Sequence, residues 1–395
     1  MTTLTLAPSR PVSSGEILTV DPQRADVVDR RHQQLAELLA ATSLDAVLLR
    51  RPASFAWLSA GGDSTFRGTA ESSAAAFVTP EARVVLCNGV DTGQFFDREL
   101  NGMGFQLKER PWHQPREILL QDLCRGRRVG SDTGEFGTEN VEERLVRLRC
   151  VLSNFDLLRL RDLSRAVAHA VEATARTFSQ GETEAEIAGQ LAHRLLKHDI
   201  EPVQLQVLAD GQGQRYRHWA FGHDRVERTC ILRAIGRAHG LHAGVTRTVT
   251  FGVPPRSIRD THQLATLVQS TGMFFSQAGW KLEDTWERVV RIYEKYGAPE
   301  EWRRAEQGRV LGYAVEEVPV TPQNRFRLQS GCAMFWHPSV LTAAVGDTIL
   351  IRDEGFEILT APDESWPKMT VEIKGMPLSR PAILVRESAT DWPDA

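Results

Sequence analysis

The stretches Ile231-Leu-Arg-Ala-Ile235 and Gly240-Leu-His-Ala-Gly-Val-Thr-Arg-Thr248 decide how the C-terminal half of this chain folds. Strands are predicted over 231–235 and 245–251, with Gly240 supplying the turn between them. Working outward, helices follow at about 260–279 and 282–296. Later strands cover 332–337, 348–352 and 356–359, the last two joined by the Asp353-Glu-Gly355 turn. Upstream, Leu163, Val167, Ala170, Val171 and Phe178 share one face of a helix over 158–178, which Gly181 ends. Thr183-Glu-Ala-Glu186 then has the spacing of a capping box, opening a helix that buries Ile187, Leu191 and Leu195.

The N-terminal half reads differently. A helical pattern from near Arg30, with Leu35, Leu38 and Leu39 on one face, runs into the short apolar strand Asp45-Ala-Val-Leu-Leu49. A hairpin is predicted from 74–78 and 83–87, with Pro80 in its turn, then a strand at 128–131 and a helix at about 141–151. The organisation expected is a flexible arm over 1–29, a mixed α/β domain over 30–157 and a second domain over 158–395. The fold class is α/β (α+β), and 395 residues at 42% hydrophobic are enough for two separate cores.

Composition narrows the function. A net charge of -4 gives no bulk electrostatic attraction to nucleic acid or an anionic membrane, so neither is expected as a partner. Cysteines 87, 124, 150, 230 and 332 are odd in number and lack CxxC spacing, which argues against a disulfide framework or a thiolate zinc site. With no signal-like apolar run and no stretch of membrane-spanning length, a cytoplasmic protein is expected. Only six of the 47 Lys and Arg residues are Lys, so any single Arg is weak evidence of function.

Three stretches carry a resemblance: Ile231 through Thr248; Gly308-Arg-Val-Leu-Gly312 with Glu317-Val-Pro319; and Gly331-Cys-Ala-Met-Phe-Trp-His-Pro338. They resemble the pita-bread family of methionine aminopeptidases, Xaa-Pro aminopeptidases, prolidases and creatinases. The resemblance implies a creatinase-like N-terminal domain followed by a pita-bread catalytic-type domain, and a homodimer. In the family's metallopeptidases two Asp, one His and two Glu bridge a pair of divalent ions that activate water. Here those positions fall on Arg233, Gly244, Arg309, His337 and Gly346. Glycine has no donor atom and Arg carries a permanent positive charge, so no metal and no cofactor is expected. A register error of one or two residues would bring Asp347, Asp353, His239 or His242 near these positions.

The pocket expected from this placement is lined by Arg233, His242, Arg309, Glu316, His337 and Trp336. Two Arg could hold a carboxylate or phosphate, or could equally pair with Glu316 or Asp347 and fill an obsolete cavity. Creatinases and aminopeptidases carry a catalytic His in the loop matched by Arg215-Tyr-Arg-His-Trp-Ala-Phe-Gly-His223, which nominates His218, with Tyr216 or His223 as alternatives. The resulting expectation is a metal-independent acid–base enzyme for C–N hydrolysis or elimination on a small, polar, carboxylate-bearing substrate. In it His218, His337 and Glu316 are catalytic, and Arg233, His242, Arg309 and Trp336 bind substrate. The alternatives are a non-catalytic peptide- or protein-binding module and an Xaa-Pro metallopeptidase.

Overall fold

The computed structural model describes residues 20–66 and 71–388. The N-terminal unit comprises α1 (Pro22–Thr42), β1 (Ala46–Leu49), α2 (Pro52–Leu58), β2 (Ala74–Val78), β3 (Arg83–Asn88), β4 (Gln106–Arg110), α3 (Arg116–Cys124), β5 (Val129–Ser131), β6 (Glu139–Asn140) and α4 (Glu142–Cys150). Its strands form one mixed sheet in the order β4-β3-β2-β1-β5-β6. Of the arm expected over 1–29, residues 1–19 lie outside the described residues, whereas 22–29 are the opening turns of α1. The reason is local: Asp21 accepts from the backbone N–H of Gln23 and Arg24, Pro22 opens the helix, and Val27 and Val28 are buried.

The second unit follows as α5 (Asn154–Thr177), α6 (Glu184–Leu196), β7 (Glu201–Ala209), β8 (Thr229–Ala238), β9 (Leu241–Phe251), α7 (Arg256–Phe275) and α8 (Leu282–Lys295). It continues with β10 (Gly308–Leu311), β11 (Val318–Pro319), β12 (Ala333–Trp336), β13 (Ser339–Val340), β14 (Ala343–Ala344), β15 (Gly346–Ile351), β16 (Phe356–Ile358), β17 (Lys368–Ile373), β18 (Met376–Pro381) and β19 (Leu384–Arg386). The main sheet runs β11-β10-β12-β15-β9-β8-β7, with β16 and β19 attached to β15 and β9. A capping box between Ser153 and Asp156 starts α5 ahead of the boundary expected at 157/158, so that helix runs through it. The predicted box at Thr183 and Glu186 is present at the start of α6. Buried ion pairs hold the two units together: Arg31 with Asp156, and Arg149 with Glu317.

The β8–β9 hairpin organises the sheet. His239 and Gly240 both have positive φ, 51° and 73°, the left-handed pair that a two-residue hairpin loop needs for its twist to match the strands. The register then runs unbroken from Ala238 opposite Leu241 to Thr229 opposite Thr250. Because side chains alternate, Leu232, Ala234, Ala243, Val245 and Val249 pack into the apolar core with α5, α6 and other helix residues, while Ile231, Arg233, Thr246 and Thr248 turn to the opposite, cleft face.

One charged cluster sits on the helix-covered face. Arg247 donates to Glu172 of α5 and to Asp347 of β15, each at 2.8 Å, and to the carbonyl of Thr360. Arg380 of β18 also donates to Asp347 and to Gln269 of α7. All four charged side chains are at most 1% exposed, so two cations and two anions neutralise each other out of water. Removing one member strands its partners: Asp347→Ala is expected to cost about 3–5 kcal/mol in urea unfolding, and a loss below about 1 kcal/mol would show that the cluster is not coupled to the fold.

Candidate functional site

The cleft face of the sheet carries a cluster built from four strands and one loop. β8 supplies Arg233, β7 supplies Gln204 and Gln206, β10 supplies Arg309 with Glu306 just ahead of it, and β13 supplies Ser339, with His337 in the link from β12. The loop between β7 and β8 supplies Arg217 and His218. They enclose a cavity of about 30 Å³, room for one or two waters or a single small group. A larger chamber of about 710 Å³ adjoins it, sharing Leu208, Gly213, Ile231, Thr342 and Ala343 as wall.

Arg233 is the centre of the electrostatics. It is 8% exposed, and its Nε donates to Thr246 Oγ1 at 3.0 Å, directly across the β8–β9 pair. Among the described residues no carboxylate lies within 4 Å of its guanidinium. Burial, with the charge of Arg309 adding, pushes its pKa down to about 10, which still leaves it cationic at neutral pH. Arg309 is differently placed: its Nη2 donates to Glu306 at 2.6 Å, and its Nε lies 3.7 Å from Glu316 and 3.3 Å from His337 Nε2.

That last contact revises the role expected of His337. An Arg can only donate, so His337 Nε2 must be the acceptor and its lone pair is already engaged. Burial first, then the Arg233 and Arg309 charges, hold the ring well below its ordinary pKa, so it is neutral. His337 is therefore a neutral acceptor that orients Arg309, and the proton-transfer role expected of it is withdrawn. His218 is exposed, unlike His337, and lines the same cavity. Glu316 stands 34% exposed beside Arg309, its pKa raised by burial, and is not in the cavity wall.

Two residues expected in the pocket are elsewhere. Trp336 follows Phe335 on β12 and so points to the helix-covered face, where its indole packs against Gly272 of α7 and donates to Ser276 Oγ at 3.0 Å. His242 has the strand parity expected of it, but it lies four residues along β9 from Thr246, and its Nδ1 is tied to the Gly312 carbonyl at 3.0 Å. Its burial pushes its pKa down to about 4. Arg217, Ser339, Gln204 and Gln206 were missed, because β7 and the β7–β8 loop carry no motif. Two of them stand out by unmet hydrogen bonds: Arg217 Nε and Nη1 and Ser339 Oγ are buried without a partner among the described residues, whereas Gln206 donates to the Arg217 and Trp219 carbonyls.

Phe335 fills the middle of the face. A Cβ on Gly244 would lie 2.9 Å from three of its ring carbons; one on Gly346 would lie 3.0 Å from the ring and 2.4 Å from Thr246 Oγ1. The neighbouring carboxylate cannot substitute, since Asp347 faces the other way into the buried charged cluster. Among the described residues no group of three or more His, Cys, Asp or Glu converges to hold a metal ion.

A sheet of this order, flanked by paired helices and preceded by an N-terminal α/β unit, is the pita-bread architecture. Residues 159–355 match the model of metallopeptidase family M24, and the chain belongs to this pita-bread family. An uncharacterized peptidase of Staphylococcus aureus (strain MW2) is 22% identical over 58% of this chain and 68% of its own length. Among solved structures, the prolidase from Pyrococcus horikoshii OT3 superposes with a TM-score of 0.73 at 16% identity, covering 85% of this chain and 99% of that one. The X-Pro aminopeptidase from Thermotoga maritima MSB8 gives 0.69 at 18% identity over 85% and 98%. The N-terminal domain of FACT complex subunit SPT16 from Cicer arietinum gives 0.67 at 13% identity over 88% and 98%. No helix among the described residues is long and apolar enough to cross a membrane.

The Phe335 contact is testable by a thermodynamic cycle. Gly244→Ala is expected to cost about 1–3 kcal/mol by overpacking, and distinctly less in a Phe335→Leu background; equal costs in both backgrounds would show the ring does not define that space. Stability should also depend on pH. Burial holds His242 and His262 neutral down to about pH 4, whereas the unfolded chain protonates them near 6.5. The unfolded state binds more protons between those values, so stability falls as pH drops from 7 to 5, by about 2 kcal/mol per ring. Urea midpoints at the two pH values check this, with His262→Gln expected to lose less than the parent; identical losses would contradict it.

Proposed function

We propose that this chain is an enzyme that works without metal, cleaving a C–N bond in a small, carboxylate-bearing substrate on the cleft face of its pita-bread domain. The donor set does not suit a pair of divalent cations. Two of the five positions at which the family resemblance places ligands are glycines under the Phe335 ring, and two are arginines. The single observation that carries the reading is Arg233, a buried cation with no carboxylate within 4 Å among the described residues; the acid in the cavity wall, Glu306, is engaged by Arg309. Such a charge is costly unless an anion meets it, and a substrate carboxylate supplies one.

In this reading Arg233 binds the carboxylate and His337 keeps Arg309 turned toward the same cavity. His218 takes a proton from the water that bonds to carbon, or in an elimination from the carbon adjacent to the C–N carbon as the double bond forms, and delivers it to the nitrogen that departs. Cleavage by water and cleavage by elimination both require that relay. Glu316, at 3.7 Å from Arg309, tempers the positive charge at the rim.

A non-catalytic binding module remains the rival, favoured by how little space the cavity leaves. The third reading, an Xaa-Pro metallopeptidase, draws on the prolidase and aminopeptidase fold matches. A panel of carboxylate-bearing amides, ureas and secondary amines, assayed with and without EDTA, separates the three. Expected is chelator-insensitive turnover, with kcat down at least about 100-fold in His218→Ala and KM up at least about 10-fold in Arg233→Gln. Manganese-dependent Xaa-Pro cleavage abolished by EDTA would establish the metallopeptidase instead, and absence of any turnover would favour the module.

A further inference from the structure

Three sets of unused hydrogen-bond donors meet at the 30 Å³ cavity. Arg217 has an 8% exposed side chain and spends only Nη2, on Glu301 at 3.0 Å; its Nε and Nη1 are buried with no partner among the described residues. Ser339 is 6% exposed and its Oγ is likewise unpartnered. Arg233 spends only Nε, on Thr246. Buried donors are almost always satisfied, so Arg217 and Ser339, both left with unpartnered buried donors on one cavity beside the Arg233 charge, describe a missing acceptor.

The charge balance says what kind of acceptor. Arg217, Arg233, Arg309 and Arg304, which shares Glu301 with Arg217, bring four positive charges, and Glu301, Glu306 and Glu316 offset three through their ion pairs with Arg217, Arg304 and Arg309. One positive charge is left over, which a monoanion neutralises and a phosphate dianion would overshoot. The cavity volume agrees, because it admits a planar carboxylate more readily than a tetrahedral phosphate. The rest of the ligand cannot fit in 30 Å³. The adjoining 710 Å³ chamber is of the size that holds small-molecule ligands, and part of its wall is apolar: Leu208, Ile231 and Ala343.

We infer that Arg217 and Ser339 are substrate-binding residues that, with Arg233, form a pocket for one carboxylate, and that the substrate is a monocarboxylate whose body extends into the chamber beside Ile231 and Thr342. This rests on the anion-binding reading of the cleft given above, and it fixes both the anion's charge and the residues that recognise it. Ser339 Oγ–H and Arg217 Nε–H and Nη1–H donate to the carboxylate oxygens, and Arg233 neutralises the charge.

Calorimetric titration of the full chain tests the proposal without any need for turnover. The probes are 4-phenylbutanoate, its amide, acetate and 4-phenylbutyl phosphate at pH 8, where the phosphate ester is a dianion. Expected is 4-phenylbutanoate binding at least about 10-fold tighter than each of the other three, given what a charged hydrogen bond contributes. Ser339→Ala should weaken it about 3- to 10-fold and Arg217→Gln at least about 10-fold. Ser339→Ala removes one oxygen atom and keeps the test intact should Arg217→Gln unfold. Equal affinity for carboxylate and amide, or a preference for the phosphate ester, would overturn the assignment. So would unaltered carboxylate binding by Ser339→Ala together with Arg217→Gln. Carboxylate-selective binding in a chain that turns over nothing would sink the enzymatic reading alone and leave this pocket standing.

Discussion

The carboxylate of Asp347, shared between Arg247 and Arg380 behind the sheet, is the constraint from which the cleft follows. Side chains on a strand alternate, so fixing Asp347 toward the helices fixes Gly346 and Thr348 toward the cleft. Thr348 Oγ1 then bonds both the N–H and the carbonyl of Gly244, at 2.9 and 2.8 Å, which locks β15 beside β9. A slip of one residue would put a carboxylate under Phe335 and leave Arg247 and Arg380 buried without it. The charged cluster therefore excludes the very register that would return an acid to the cleft.

With that register set, the two faces of one sheet take opposite electrostatic roles. Behind it, two cations and two anions are matched, linking α5, β9, β15, α7 and β18. In front, Phe335 seals the space over Gly244 and Gly346, and the charges that remain are mostly arginines. The neutral state of His337 belongs to the same field: a ring buried beside two guanidiniums does not take up a further proton. Positive potential focused in a small cavity is a setting for binding an anion.

The sequence made the architecture legible where patterns were strong. The capping box at Thr183, the hairpin from 74 to 87 and the strands around Gly240 all follow from local rules, and the structure keeps each. Strand β9 starts earlier than its apolar pattern indicates, because the left-handed His239-Gly240 loop pairs the chain from Leu241 onward. The sites were half legible. Arg233, Arg309, His218 and His337 share one cavity, but Trp336 and His242 do not: the first falls on the wrong strand face and the second is tied to a carbonyl farther along β9. Arg217 and Ser339 were invisible, since nothing in one chain's letters says that a donor will be left without an acceptor. That is a property of three-dimensional satisfaction, and it appears only once the hydrogen bonds are counted.

Metal content is the most direct test of the claim that this cleft suits an anion in place of two cations. The protein would be purified without chelator, its bound manganese, zinc, iron and cobalt determined by elemental analysis, and the same sample titrated calorimetrically with Mn²⁺. The account predicts substoichiometric metal and no saturable Mn²⁺ binding in the parent chain. Two metal equivalents per chain, displaced by Mn²⁺ and lost in Arg233→Gln or His337→Ala, would contradict it and return the site to metallopeptidase chemistry.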